Sequence, residues 1–233
     1  MIKTKNILYR EGVHFRQLNN KLKITDANLK RIAGLIYDTD DYIYPHMFGR
    51  RENAEIVIPQ LLRGNKDIMF SLDNLFVCEW CEEIIGIILW YEGALEWSSE
   101  ELCSAMEKEK IEPPDKLDDV QKEYMSGYNA GSKNGVISIL NVCLAPKARG
   151  QKIAPKMLLA FMEEHKEADM ELCVLSDNDD AIELYEKCGF TKVREEKAYP
   201  KNMENHMRYL MERKNAPSAQ SEDPEDEKKE KAT

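Results

Sequence analysis

The residues best suited to chemistry stand in one stretch: Leu144-Ala145-Pro146-Lys147-Ala148-Arg149-Gly150-Gln151-Lys152-Ile153-Ala154-Pro155. An apolar, β-branched run, Val136 to Leu144, precedes it and reads as a buried strand. After it, Ile153, Met157, Leu158, Phe161 and Met162 recur at helical spacing. Pro155 fits a first helical turn, where a missing N–H is no loss. The order is therefore strand, tight loop, helix start. The first N–H groups of a helix lack internal partners, and the peptide dipoles place partial positive charge there. Lys147, Arg149 and Lys152 add full charges. The spacing predicts an anion site, most simply for phosphate.

A second constellation lies downstream, in Asn178-x-x-Ala181-x-x-Leu184-Tyr185-Glu186-Lys187-x-Gly189-Phe190. It follows a short apolar strand candidate, Met170 to Leu175. Asp177 or Asn178 can cap a helix whose face is Ala181, Leu184, Tyr185 and Cys188. Gly189 suits the left-handed stop. Taken alone, Tyr185 is a half-buried aromatic and Asn178 a helix cap.

These two segments need a sheet to hold them. Arg16 to Ile24 is expected as a first strand. Leu29, Ile32, Ala33, Ile36 and Tyr37 predict an amphipathic helix capped by Thr25 or Asp26. Asp38 to Gly49 reads as an aromatic-rich loop, with Tyr42, Tyr44 and Phe48 either packing or lining a pocket. His46 in that loop is either a proton acceptor or incidental. A second helix spans about Glu52 to Leu62, with Pro59 inside it, and stops near Gly64. Phe70 to Trp80 and Ile84 to Tyr91 form an antiparallel pair around a short polar turn. Two polar helical patterns follow, about Ser98 to Lys110 and Asp115 to Tyr128, separated by Pro113-Pro114. The last strand candidates are Phe190 to Tyr199 and His206 to Arg213.

Composition narrows the class. The chain has 233 residues and a formal net charge of −10, which argues against nucleic-acid binding. Residues 92–123 hold 11 acids against 4 bases, so much of the acidity sits in one insertion. That insertion can attract cationic ligands. No apolar run is long enough to span a bilayer, and Met1 to Phe15 shows no signal-peptide core. A cytoplasmic protein with reduced cysteines and no membrane partner is expected. Cys78-Glu79-Trp80-Cys81 has zinc-like spacing, but no second pair completes four ligands, so no metal is expected. Residues 214–233 lack aromatic and branched aliphatic side chains, which predicts a disordered acidic tail.

Together the two motifs resemble the GNAT superfamily of N-acetyltransferases. The coenzyme loop of that family, Gln/Arg-x-x-Gly-x-Gly/Ala, corresponds to Arg149-Gly150-Gln151-Lys152-Ile153-Ala154, with Lys152 where the first glycine is expected. The resemblance spans about Leu18 to Arg213. It implies an α/β (α+β) fold: a mixed, mostly antiparallel central sheet with splayed parallel strands, flanked by helices. One domain over 1–213 is expected, with a helical insertion at about 93–135 between the third and fourth strands. It implies acetyl-CoA as co-substrate, its pantetheine arm on Val142, Cys143 and Leu144. The pyrophosphate then lies on the amides of Arg149, Gly150, Gln151, Lys152, Ile153 and Ala154. Asn178 and Tyr185 face the inner end of the coenzyme, with Tyr185 as the acid that protonates the departing sulfur. The acceptor is a primary amine of a small molecule or a protein, which attacks the thioester directly, in a monomer or homodimer. The alternative is a non-catalytic acyl-CoA-binding or regulatory module of the same fold.

Overall fold

The computed structural model describes residues 12–64, 69–93, 99–115, 117, 135–197 and 207–215. Alternating apolar residues build seven strands into one sheet: β1 Val13–Gln17, β2 Leu75–Trp80, β3 Glu83–Glu92, β4 Val136–Leu144, β5 Asp169–Leu175, β6 Thr191–Lys197 and β7 Met207–Arg213. The order is β1-β2-β3-β4-β5-β7-β6. Every neighbouring pair is antiparallel except β4 with β5, which run parallel. The expected mixed, mostly antiparallel sheet with one parallel pair is therefore what forms.

Helices cover both faces. On one lie α1 Asp26–Tyr37, α2 Ile43–Phe48, α3 Arg51–Arg63 and α4 Ser99–Lys108. Leu29, Ile32, Ile36, Val57, Ile58, Leu62, Leu102 and Met106 meet Val77, Ile87 and Leu89 of the sheet there. On the other lie α5 Ile153–Glu164 and α6 Asp179–Lys187. Met157, Leu158, Phe161, Ile182 and Tyr185 pack there on Phe76, Ile88, Ile139 and Leu172.

Two local readings change. The first strand is Val13–Gln17 rather than 16–24. Beyond Leu18 the chain turns at Asn19-Asn20, where Asp73 accepts from the Asn20 backbone N–H (3.0 Å) and side-chain amide (2.7 Å). The aromatic segment 38–49 is not all loop. Asp40 Oδ1 accepts from the N–H groups of Tyr42 (2.8 Å) and Ile43 (2.7 Å), and this starts α2. Tyr44 and Phe48 are then buried, so they pack. α3 forms where it is expected, with Pro59 inside it and Gly64 at its end.

The turn between β2 and β3 is two residues, Cys81 and Glu82, both at positive φ, as a twist-matched hairpin requires. Within the insertion, α4 forms where Ser98 to Lys110 predicts it. The second insertion helix, about 115–128, and nearly all of the tail lie outside the described residues.

Candidate active site

The loop after β4 is shaped by two left-handed residues. Pro146–Ala148 makes a short 3-10 turn, and Arg149 is extended. Gly150 follows at φ +74, with open space where a Cβ would stand. Lys152, at φ 58 and ψ 28, adopts the conformation that a glycine takes freely. It is the N-cap of α5, and no side chain caps that helix. The amide hydrogens of Gly150, Lys152, Ile153 and Ala154 find no acceptor among the described residues. They form a cluster of donors at the positive end of a 12-residue helix.

Two of the three nearby cations are engaged elsewhere. Lys147 Nζ lies 2.6 Å from Glu83 Oε1, which also holds Arg31 Nε at 3.2 Å. The Lys147 hydrogen bond holds the Glu83 carboxyl below its usual range, against the opposing effect of burial. Arg149 folds back, and its Nε donates to Leu144 O at 3.0 Å. Its guanidinium straps the end of β4 rather than projecting outward. Lys152 is exposed and makes no ion pair among the described residues.

Beside this loop the sheet opens. β4 and β5 pair only from Val136/Asp169 to Ile139/Leu172, yet they run on to Leu144 and Leu175. The edge that β4 presents follows from its ladder with β3. Ala145 N donates to Ile85 O at 2.8 Å, so alternate residues Cys143 and Ala145 turn their backbone to β3. Val142 and Leu144 therefore turn theirs toward the gap. Of the three strand residues expected to meet a pantetheine arm, Cys143 is the exception. Its side chain is buried on the α1 face, with Arg149 Nη2 4.0 Å from Sγ.

A bulge fixes the inner end of the gap. Leu89 pairs with Asn141 and Trp90 with Ile139, which leaves Leu140 as the extra residue. Leu140 and Asn141 thereby share a face. Asn141 Oδ1 accepts from the Tyr44 hydroxyl (2.8 Å), and Nδ2 donates to Thr39 Oγ1 (2.7 Å). This ties α2 and the end of α1 to β4. Sequence reasoning passed over Asn141; its signal was a lone amide inside an apolar strand.

The far wall is α6. Asn178 Oδ1 accepts from Ala181 N at 3.2 Å, so it acts as the cap in this structure. Tyr185 is 9% exposed within the apolar layer, its ring 6.0 Å from that of Phe190. Its hydroxyl has no hydrogen-bond partner among the described residues. Burial pushes the phenol well above its usual value, so the group stays protonated and has a proton to donate. His46 sits on α2, stacked 6.3 Å from Tyr42, with Nε2 buried and unpartnered among the described residues. Among those residues no group of His, Cys, Asp or Glu is arranged to hold a metal.

An uncapped helix start thus lies beside one parted parallel pair in an otherwise antiparallel sheet. Residues 70–190 match the family described as Acetyltransferase (GNAT) family, and the chain belongs to that family. An N-acetyltransferase from Staphylococcus aureus Mu50 is similar in fold, with TM-score 0.59 and 19% identity over 85% of this chain and 99% of that one. Another acetyltransferase structure matches with TM-score 0.59 and 17% identity, over 87% and 100%. At such identities the likeness is one of fold. No curated protein sequence matches the chain.

Proposed function

We propose that this protein moves an acetyl group from acetyl-CoA to a primary amine of a small molecule or a protein, by direct attack. The observation that carries the reading is the run of unengaged amides at Gly150, Lys152, Ile153 and Ala154, set beside the gap-facing backbone of Val142 and the N–H of Leu144, whose carbonyl Arg149 holds. Diphosphate fits the first, and the amide-bearing pantetheine arm fits the second. With Arg149 and Gln151, these residues make up the coenzyme site, and Asn178 and Tyr185 line its inner end. Lys152 does not impede it, because phosphate is held by backbone N–H groups and Lys152 already supplies the turn.

Acetyl-CoA supplies an activated acetyl thioester, so no protein nucleophile is needed. The chain must orient it, take a proton from the amine and return one to sulfur. A lysine-like amine has a pKa near 10.4, so making it neutral at pH 7 costs about 4–5 kcal/mol. A positioned proton acceptor removes that burden. An amide N–H facing the gap from β4 can hold the developing oxyanion. Tyr185, fully protonated, can deliver a proton to the leaving sulfur.

The test is thiol release from acetyl-CoA with spermidine, kanamycin and a lysine-containing peptide. Turnover with at least one amine is expected. If none releases thiol while coenzyme A still binds, the enzyme reading falls and a non-catalytic acyl-CoA-binding module stands in its place. No helix among the described residues is long and apolar enough to cross a membrane, and the reading places a single domain through Arg213 in the cytoplasm.

A further inference from the structure

The face of the sheet away from α5 carries polar side chains that the coenzyme site does not use. Ser138 on β4 and Glu171 on β5 are register partners in the parallel pair, one step before the strands part. Ser138 Oγ donates to Glu171 Oε1 at 2.7 Å, and the two residues are 4% and 7% exposed. Tyr91 on β3 stands opposite Ser138 and is 4% exposed. Its hydroxyl is buried beside Ser138 without a well-formed hydrogen bond among the described residues. Burial pushes that phenol up to about 12, the nearby Ser138 hydroxyl works against the rise, and the negative charge of Glu171 adds to it.

Glu171 is the one buried carboxylate among the described residues, and it lacks a cation. Its neighbours have theirs. Glu212, opposite it on β7, and Asp169 share Lys214, at 3.0 and 3.2 Å. Glu196 holds Arg208. Arg213 is the partner of Met170, so it belongs to the other face. Burial pushes the Cys173 thiol on β5 up to about 11, so it stays neutral. An unpaired buried carboxylate is costly to keep. A carboxylate without a cation and a hydroxyl without a well-formed hydrogen bond lie together where the gap closes. An alkylammonium offers three N–H donors, and the cluster offers three acceptors: Glu171, Ser138 Oγ and the Tyr91 oxygen.

We propose that Glu171, Ser138 and Tyr91 seat the acceptor's ammonium and that Glu171 is the catalytic residue that takes its proton. This rests on the acetyl-transfer reading above and names the acceptor class as a cationic amine. One N–H bond of the ammonium breaks, the proton goes to a Glu171 oxygen and the electron pair stays on nitrogen. That nitrogen forms the C–N bond to the acetyl carbon, and the C–S pair leaves with sulfur, which takes the Tyr185 proton. The second nitrogen proton restores Tyr185, and Glu171 releases its own to solvent.

The experiment compares wild type and Glu171→Gln in the thiol-release assay with the same three amines, from pH 7 to 9. The amide keeps an acceptor for Ser138 but cannot take a proton. A loss of about 100-fold or more in kcat/KM is expected at pH 7. The gap should narrow about tenfold per pH unit as free amine accumulates. Coenzyme A binding by calorimetry should be unchanged. A wild-type rate in the variant, or a deficit that does not change with pH, overturns the proposal. If Glu171→Gln does not fold, Tyr91→Phe decides: a several-fold rise in KM for the amine supports the seat, and an unchanged KM overturns it. Wild-type turnover with an unaffected variant sinks this inference alone. No wild-type turnover with any of these amines sinks the transfer reading and this inference with it.

Discussion

Lys152 shows how a residue can depart from a family pattern and keep its shape. It holds φ 58 where a glycine is expected. The left-handed conformation costs an L-residue about 1–2 kcal/mol, while glycine gives some of that back as unfolded-state entropy. Lys152→Gly should therefore leave stability equal or raise it by up to about 1 kcal/mol, with coenzyme A affinity within a few-fold. Lys152→Val, which resists positive φ, should lower both, read by thermal melting and calorimetry. Tyr185 carries a different prediction. Tyr185→Phe keeps the ring packing against Phe190 and removes only the proton. Its kcat should fall by about 10- to 100-fold with the coenzyme dissociation constant unchanged. Equal losses in both would mark it as a packing residue. At this scale the sequence disclosed residue types but not their directions. Arg149 and Lys147 looked like phosphate ligands, yet one straps Leu144 and the other pairs with Glu83. No periodicity reveals which neighbour a long cationic side chain will find.

Among the elements, those with strong periodicity were legible. α1, α5 and α6 follow from apolar spacing, and Thr25 and Asn178 cap α1 and α6 as their types predict. α2 was not legible, because its start depends on Asp40 bonding two backbone amides within an aromatic run. The bulge at Leu140 was also hidden, since one extra residue changes register without changing composition. Gly86 shows how closely α5 seats on the sheet. A Cβ there would meet Leu144 Cδ2 at 2.4 Å, Cys78 Cβ at 3.1 Å and Met157 Sδ at 3.2 Å. Leu144 and Met157 can swing aside in part, but Cys78 Cβ is fixed to its strand. Gly86→Ala should cost about 1–3 kcal/mol and weaken coenzyme binding by displacing α5. An unchanged melting temperature would show that the contact yields freely.

The molecule as a whole should lose stability in acid, in two stages. His165 at the end of α5 lies against Trp90 and Phe161, ring centroids 4.5 and 4.6 Å away. Burial depresses its pKa below the ordinary 6.5. The unfolded chain therefore binds that proton more readily, and stability falls as pH drops below about 6.5. Glu83, held below 4.5 chiefly by Lys147, contributes stability above that value and loses it as pH falls through its folded pKa. The urea midpoint should drop between pH 7.5 and 5.5, and His165→Phe should flatten that step. A midpoint indifferent to pH in wild type would contradict the burial of a neutral ring.

The central claim is that amides opening α5 hold the diphosphate of an acyl-coenzyme A beside the parted strands. A calorimetric titration of the wild-type protein with coenzyme A tests it most directly. The account predicts saturable heat with one site per chain. A flat titration at concentrations well above those of a folded, monodisperse sample would contradict it.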